Sequence, residues 1–199
     1  MLKREELENL IKNIKGKIRG VVFQTDATYV LSKEGEEGLK KLEQRVKELG
    51  LPINYREAKA MEWQPVGLRI VSILLIKDTF GWSEEEIRDM GKAAPKTSFI
   101  VKFFFKLFLT MEKFAKEIPS YWREHYTEGE LKVVKLDTKT REMVLYLENY
   151  KLHPLFCKYL EGYFETVLNL AQKGEAEVRE TKCMYKDNTS YHEFTAIWQ

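Results

Sequence analysis

The apolar residues of this chain change their spacing near residue 130, and that change limits the folds open to it. Before it they recur three and four residues apart, as on one face of a helix. After it, on either side of one further helix, they alternate, as on one face of a strand. Leu7, Leu10, Ile11 and Ile14 mark a first amphipathic helix. Residues 21–50 read as two helices, the second carrying Leu39, Leu42, Val46 and Leu49 and closing on Gly50. "VGLRIVSILLIKDTFG" is apolar on nearly every side and belongs at the centre, with Pro65 at its start. Ser83 and Glu86 form a capping box for the next helix. "TSFIVKFFFKLFLTMEKFAKEI" reads as one long aromatic-rich helix and "PSYWREHYTEGE" as a short one.

Past residue 130, "LKVVKLD" and "REMVLYLEN" flank "TKT" as a hairpin, and "EAEVRETKCMYKDNTSYHEFTAIW" reads as a second. A helix runs between them, with Pro154 at its start and Gly174 at its end. The expected class is therefore α+β: a helical N-terminal half, then two β-hairpins forming one antiparallel sheet with a helix between them.

The second hairpin brings chemistry together. A two-residue turn at Asp187-Asn188 sets Cys183 opposite His192, with Cβ atoms ~5 Å apart on one face. His192, Phe194, Ala196 and Trp198 then share the inward face. Cys157 lies in the first turn of the intervening helix, and His153 precedes it by four residues. His153, Cys157, Cys183 and His192 make a candidate two-Cys, two-His set of the kind zinc takes. The alternative reading is that both cysteines are small buried hydrophobes and His153 merely starts a helix.

Composition closes off other classes. With 33 Lys plus Arg against 31 Asp plus Glu, the net charge is +2, which gives no case for nucleic acid or an anionic membrane. The longest apolar run, "IVSILLI", is too short to span a bilayer. The charged N-terminus does not read as a signal peptide, and two cysteines make no disulfide framework, so the expectation is a soluble, cytoplasmic protein. There is no phosphate-binding loop, dinucleotide fingerprint, H-E-x-x-H or nucleophile elbow. The phenylalanines of "FIVKFFFKLF" fit a core, and a subset of them fits an apolar pocket. Tyr121, Trp122, His125 and Tyr126 could close such a pocket or cover the core. Haem requires an axial ligand, and none of His125, His153 and His192 sits in a recognisable haem motif, so the sequence argues against haem.

"LHPLFCKYLEGYFETVLNLAQKGEAEVRETKCMYKDNTSYHEFTAIW" resembles the 4-vinyl reductase domain. The shared pattern is a Cys opening a helix, a Gly five residues on, an E-T-K-C strand, and a short loop into an x-E-F strand. Where that family usually has a third Cys, this chain has His192, and its loop reads "KDNT". "MGKAAPKTSFIVKFFFKLFLTMEKFAKEIPSYWREHYTEGELKVV" resembles a related paralogous family, and together the two cover about residues 60 to 198. The resemblance implies a fold shared with haem nitric oxide-binding (H-NOX) domains and TRAPP subunits. Helices would lie over a sheet and enclose an apolar pocket. It also implies metal binding at Cys157, Cys183 and His192, and a zinc held there would take His153 or water as its fourth ligand.

On this footing residues 1–60 form an N-terminal helical region and 61–199 the ligand-binding domain. The expected function is a non-catalytic sensor or binding domain for an apolar small molecule, with Phe104, Phe108, Tyr121 and Trp122 bordering the pocket. The alternative is a TRAPP-like interaction module working as a homodimer, and a haem-based gas sensor ranks behind both. No residue speaks for an enzyme.

Overall fold

The computed structural model describes residues 2–97 and 110–199. The helical layer comprises α1 (Arg4–Asn13), α2 (Val21–Glu48), α3 (Val66–Phe80), α4 (Glu84–Thr97) and α5 (Met111–His125). A short antiparallel pair, β1 (Lys17–Arg19) and β2 (Trp63–Pro65), ties its loops together. The C-terminal part runs β3 (Glu130–Asp137), β4 (Glu142–Glu148), α6 (Pro154–Gln172), β5 (Ala176–Lys182) and β6 (Tyr191–Trp198). The two hairpins form one antiparallel sheet of order β3-β4-β6-β5. The α+β class read from the alternation is the one observed.

Strand alternation explains which face is covered. Met143, Leu145 and Leu147 of β4 and His192, Phe194, Ala196 and Trp198 of β6 are all buried, while their neighbours are mostly half-exposed. Helix α6 lies on the covered face, where Phe164 meets Phe194 edge-on at 5.1 Å. Burying each such ring contributes roughly 1.5–3 kcal/mol. Helix α4 packs on the other side of α6 at unusually close range. A Cβ on Gly91 would strike the Tyr159 carbonyl oxygen, and one on Gly162 the Arg88 carbonyl oxygen. The two glycines let the helix backbones touch, which brings the helical layer down onto the sheet.

Helix α3 is central, as its all-round apolarity requires. Ile70, Val71, Ile73, Leu75 and Ile76 are buried. Two of its polar residues, Arg69 and Ser72, are also buried, so they need partners. Arg69 pairs with Asp26 of α2, and the Ser72 hydroxyl donates to Asp26 Oδ2 at 2.7 Å while standing 3.0 Å from the Tyr55 hydroxyl.

Several boundaries differ from the sequence reading. Residues 21–48 form one element broken at Gly35, whose φ of 69° no neighbouring helical residue shares. This reconciles it with the expected pair of helices. Helix α5 begins at Met111, where the Thr110 side chain accepts from the Lys113 N–H; residues 98–109 of the expected long helix lie outside the described residues. It then runs straight through Pro119 instead of breaking there. Lys173, with φ 58°, takes the left-handed position expected of Gly174. The β5–β6 connection is not a two-residue turn. The amides of Lys186 and Asp187 both donate to the Cys183 carbonyl, and the Asp187 carboxylate receives the Cys183 N–H at 2.7 Å, so the chain coils before re-entering the sheet.

Candidate functional site

Among the described residues, two buried places with polar chemistry are candidates for a site. The first is a cavity of about 80 Å³ between the start of α2, the C-terminal end of α5, α6 and strand β4. Its wall is mainly apolar and aromatic, with Ile118, Trp122, Leu145, Phe164 and Leu168 among the contributors. Amphipathic spacing on α5 and α6 turns these side chains inward. Trp122 is held in place by its indole N–H, which donates to the Glu128 carbonyl at 3.2 Å, and by stacking on Tyr126 at 4.0 Å between centroids. The Tyr121 and Tyr163 hydroxyls pair at 3.2 Å across the wall. His125 lies 3.0 Å from the Tyr121 carbonyl through Nδ1. A carbonyl only accepts, so Nδ1 carries the proton and Nε2 the lone pair. Burial holds the His125 pKa below its ordinary value, which keeps the ring neutral.

Of the expected pocket residues, Tyr121 and Trp122 border this cavity. Phe104 and Phe108 lie outside the described residues.

The second place is a buried cluster where α6 crosses β5 and β6. Cys157, Glu180, Cys183 and His192 bring one sulfur, nitrogen or carboxylate oxygen each within 4.8 Å of one another. His192 Nδ1 lies 2.7 Å from Glu180 Oε1 and 3.6 Å from Cys157 Sγ. Three of the four were singled out from the sequence, and Glu180 was not. A β-bulge hid it. Glu180 pairs with Phe194, and the next register is Lys182 with Glu193, so Thr181 is the extra residue. In plain alternation Glu180 and Cys183, three apart, would face opposite sides, and the bulge puts both inward. The fourth expected member, His153, is elsewhere: it caps α6, with Nδ1 accepting from the Leu155 N–H at 3.1 Å.

The cluster is not arranged as a catalytic triad. Cys157 and Glu180 approach the same imidazole nitrogen, whereas general-base activation needs one on each. Burial pushes both thiols up, and the Glu180 charge adds to the effect. They are therefore protonated and poorly nucleophilic near neutral pH. Burial alone would also raise Glu180, but hydrogen bonds from His192 and Cys157 outweigh it and hold the carboxyl below its ordinary value. The chemistry is that of a carboxylate surrounded by donors.

No protein-family description matches the sequence, and no curated protein does. Solved structures do match, and the fold they share with this chain is that of H-NOX domains. A Tt H-NOX variant gives a TM-score of 0.68 at 14% identity over 92% of this chain and 95% of that one. An H-NOX protein from S. oneidensis in its Fe(II)NO ligation state gives 0.67 at 12% over 92% and 99%. A third structure, concerned with haem redox potential and porphyrin distortion, gives 0.64 at 13% over 90% and 99%.

These matches correct the cofactor expectation. The sequence reading argues against haem because no histidine lies in a recognisable motif, yet two solved structures of this fold are described by haem redox potential and haem distortion. At 12–14% identity a short ligand motif has no reason to survive in readable form, so its absence carried no weight. The expected zinc has no support either. The His192 nitrogen is engaged by Glu180, and the matched structures speak of haem. Tested against haem, the cavity offers one feature that suits it, the neutral His125 with its tautomer fixed by a backbone carbonyl. The space is short of what a porphyrin takes, since ligand pockets commonly measure ~300–1,000 Å³, and wall side chains would have to move outward.

Proposed function

We propose that this chain is a non-catalytic ligand-binding domain whose internal apolar cavity takes a small molecule and reports its presence through the helices around it. The observation that carries this reading is the cavity itself, enclosed by α5, α6 and the sheet. Its described wall contains no Lys, Arg, Asp or Glu. Tyr121 and Trp122 are its proposed contact residues. The H-NOX-like fold supports a sensing role, because solved relatives are described in terms of a bound ligand state.

Xenon NMR on purified protein tests the cavity, since dry apolar cavities of this kind take up xenon. A single saturable internal site is expected, together with a co-purified small molecule in the native mass spectrum. Protein with neither would overturn the reading.

Haem is the second reading, favoured by the His125 geometry and by the solved relatives. Expression with ample haem should then give a protein with an intense Soret band that His125→Ala abolishes. A colourless wild-type protein under those conditions rejects it.

A further inference from the structure

Behind the cavity wall, buried donors lack partners, which native interiors rarely tolerate. Arg69 is fully buried, and its Nη1 is taken by Asp26. Its Nε and Nη2 have no hydrogen-bond partner. Those two nitrogens form one side of the guanidinium, a side that can grip a carboxylate through two parallel bonds. The buried Tyr150 hydroxyl has no partner either.

Aromatic rings link each of these donors to the cavity. The guanidinium carbon stands 4.5 Å from the centre of the Tyr159 ring. The Tyr126 and Tyr150 rings meet edge-on at 5.6 Å, and the Arg69 charge acts on Tyr126, Tyr150 and Tyr159 alike. Tyr126 and Tyr159 both border the cavity. The cavity therefore has an apolar body and, behind two tyrosine rings, a cationic back.

We infer that the occupant of the cavity is a short apolar carboxylic acid, whose chain fills the cavity and whose carboxylate reaches the Nε–Nη2 side of Arg69, with the Tyr150 hydroxyl as a further donor. This rests on the cavity being a ligand site. A carboxylate offers two acceptor oxygens to two parallel N–H groups, whereas an alcohol satisfies one and leaves the rest unmet. Asp26 engages Nη1 of Arg69, and the Nε–Nη2 side meets no anion among the described residues. Tyr159 stands between the guanidinium and the cavity, so admission requires its ring to turn aside. A cavity of ~150 Å³ holds benzene, so about 80 Å³ suits a chain of about four carbons.

Isothermal titration with pentanoate and with 1-pentanol tests the inference. Pentanoate should bind one to one and at least about tenfold more tightly than the alcohol, as expected for hydrogen bonds to a charged group. Tyr150→Phe, which keeps the ring, should weaken pentanoate several-fold and leave pentanol unchanged. The paired variant Asp26→Asn, Arg69→Gln removes both charges and should erase the preference for the acid. Equal affinity for acid and alcohol, or unaltered pentanoate binding in Tyr150→Phe, overturns the inference. So does a donor cluster that holds only water, seen as no pentanoate binding in a protein that still takes up xenon; the cavity reading survives that result. If the protein takes up neither pentanoate nor xenon, both fail.

Discussion

His192 Nδ1 reaches Glu180 Oε1 at 2.7 Å while Cys157 Sγ waits 3.6 Å from the same nitrogen. One imidazole atom thus joins β5, β6 and α6. Glu180 extends the link, since its backbone N–H donates to the Glu161 carboxylate of α6 at 2.8 Å. Helix and sheet are held here by polar contacts, beside the apolar contact of Phe164 with Phe194.

Stability should fall in acid because of this carboxylate. The folded pKa of Glu180 lies below its ordinary value of 4.5. A depressed pKa contributes stability above the unfolded value and loses it as pH falls through the folded one. Urea denaturation at pH 7 and at successive pH values below 4.5 measures the slope. Glu180→Gln should lose about 1–3 kcal/mol at pH 7 through weakened buried hydrogen bonds. It should also show a shallower decline in acid, and an acid slope identical to wild type would remove Glu180 from the explanation.

The thiols make a second prediction. Both cysteines are buried, with pKa values raised first by burial. Thiolates are the species that alkylate. Iodoacetamide should leave the folded protein unmodified at pH 8 over a time in which denatured protein takes up two equivalents, one for each cysteine. Rapid labelling of native Cys157 would show that the cluster opens or holds a thiolate.

The sheet was legible in the sequence because its signal is local. Met143, Leu145 and Leu147 alternate with mostly polar neighbours, as do His192, Phe194, Ala196 and Trp198, with Val144 and Ile197 the exceptions. Glu180 was not legible, since a single bulged residue at Thr181 reverses which side follows. The start of α5 at Met111 was also missed, because a lone Thr in an apolar stretch of sequence is an easily overlooked cap. The pairing of Arg69 with Asp26 joins positions 43 apart in sequence, and no local pattern reports such a contact. Tyr121 and Trp122, two of the residues read as pocket candidates, border the cavity, and α4 and α6 pack closely beside it. That contact shows in sequence only as two isolated helical glycines.

Those glycines give the third prediction. Gly91 lies against the Tyr159 carbonyl and Gly162 against the Arg88 carbonyl, so each added methyl meets backbone, which cannot rotate away. Gly91→Ala and Gly162→Ala should each destabilise the protein by about 3 kcal/mol through overpacking, although alanine favours a helix by ~1 kcal/mol. The sign distinguishes the two effects. A stabilised Gly91→Ala protein would mean that α4 and α6 do not touch at this point. Thermal melts of both variants decide it.

The last prediction separates the cavity from the rest of the core. Val167 borders the cavity near the C-terminal end of α6, with Leu168 beside it, and is only partly buried. Val167→Phe adds a ring on that wall. Filling empty apolar space replaces missing dispersion contacts without displacing packed atoms, so stability should stay within about 1 kcal/mol of wild type or rise. Xenon uptake should disappear in the same variant, because the space is then occupied. Leu39 offers the control: it is buried in the core and does not border the cavity. Leu39→Ala should cost about 2–5 kcal/mol and leave the original xenon site in place. Retained xenon binding at the wild-type position in Val167→Phe would mean that the cavity lies elsewhere, and unfolding of that variant would mean that the wall is already packed to full density.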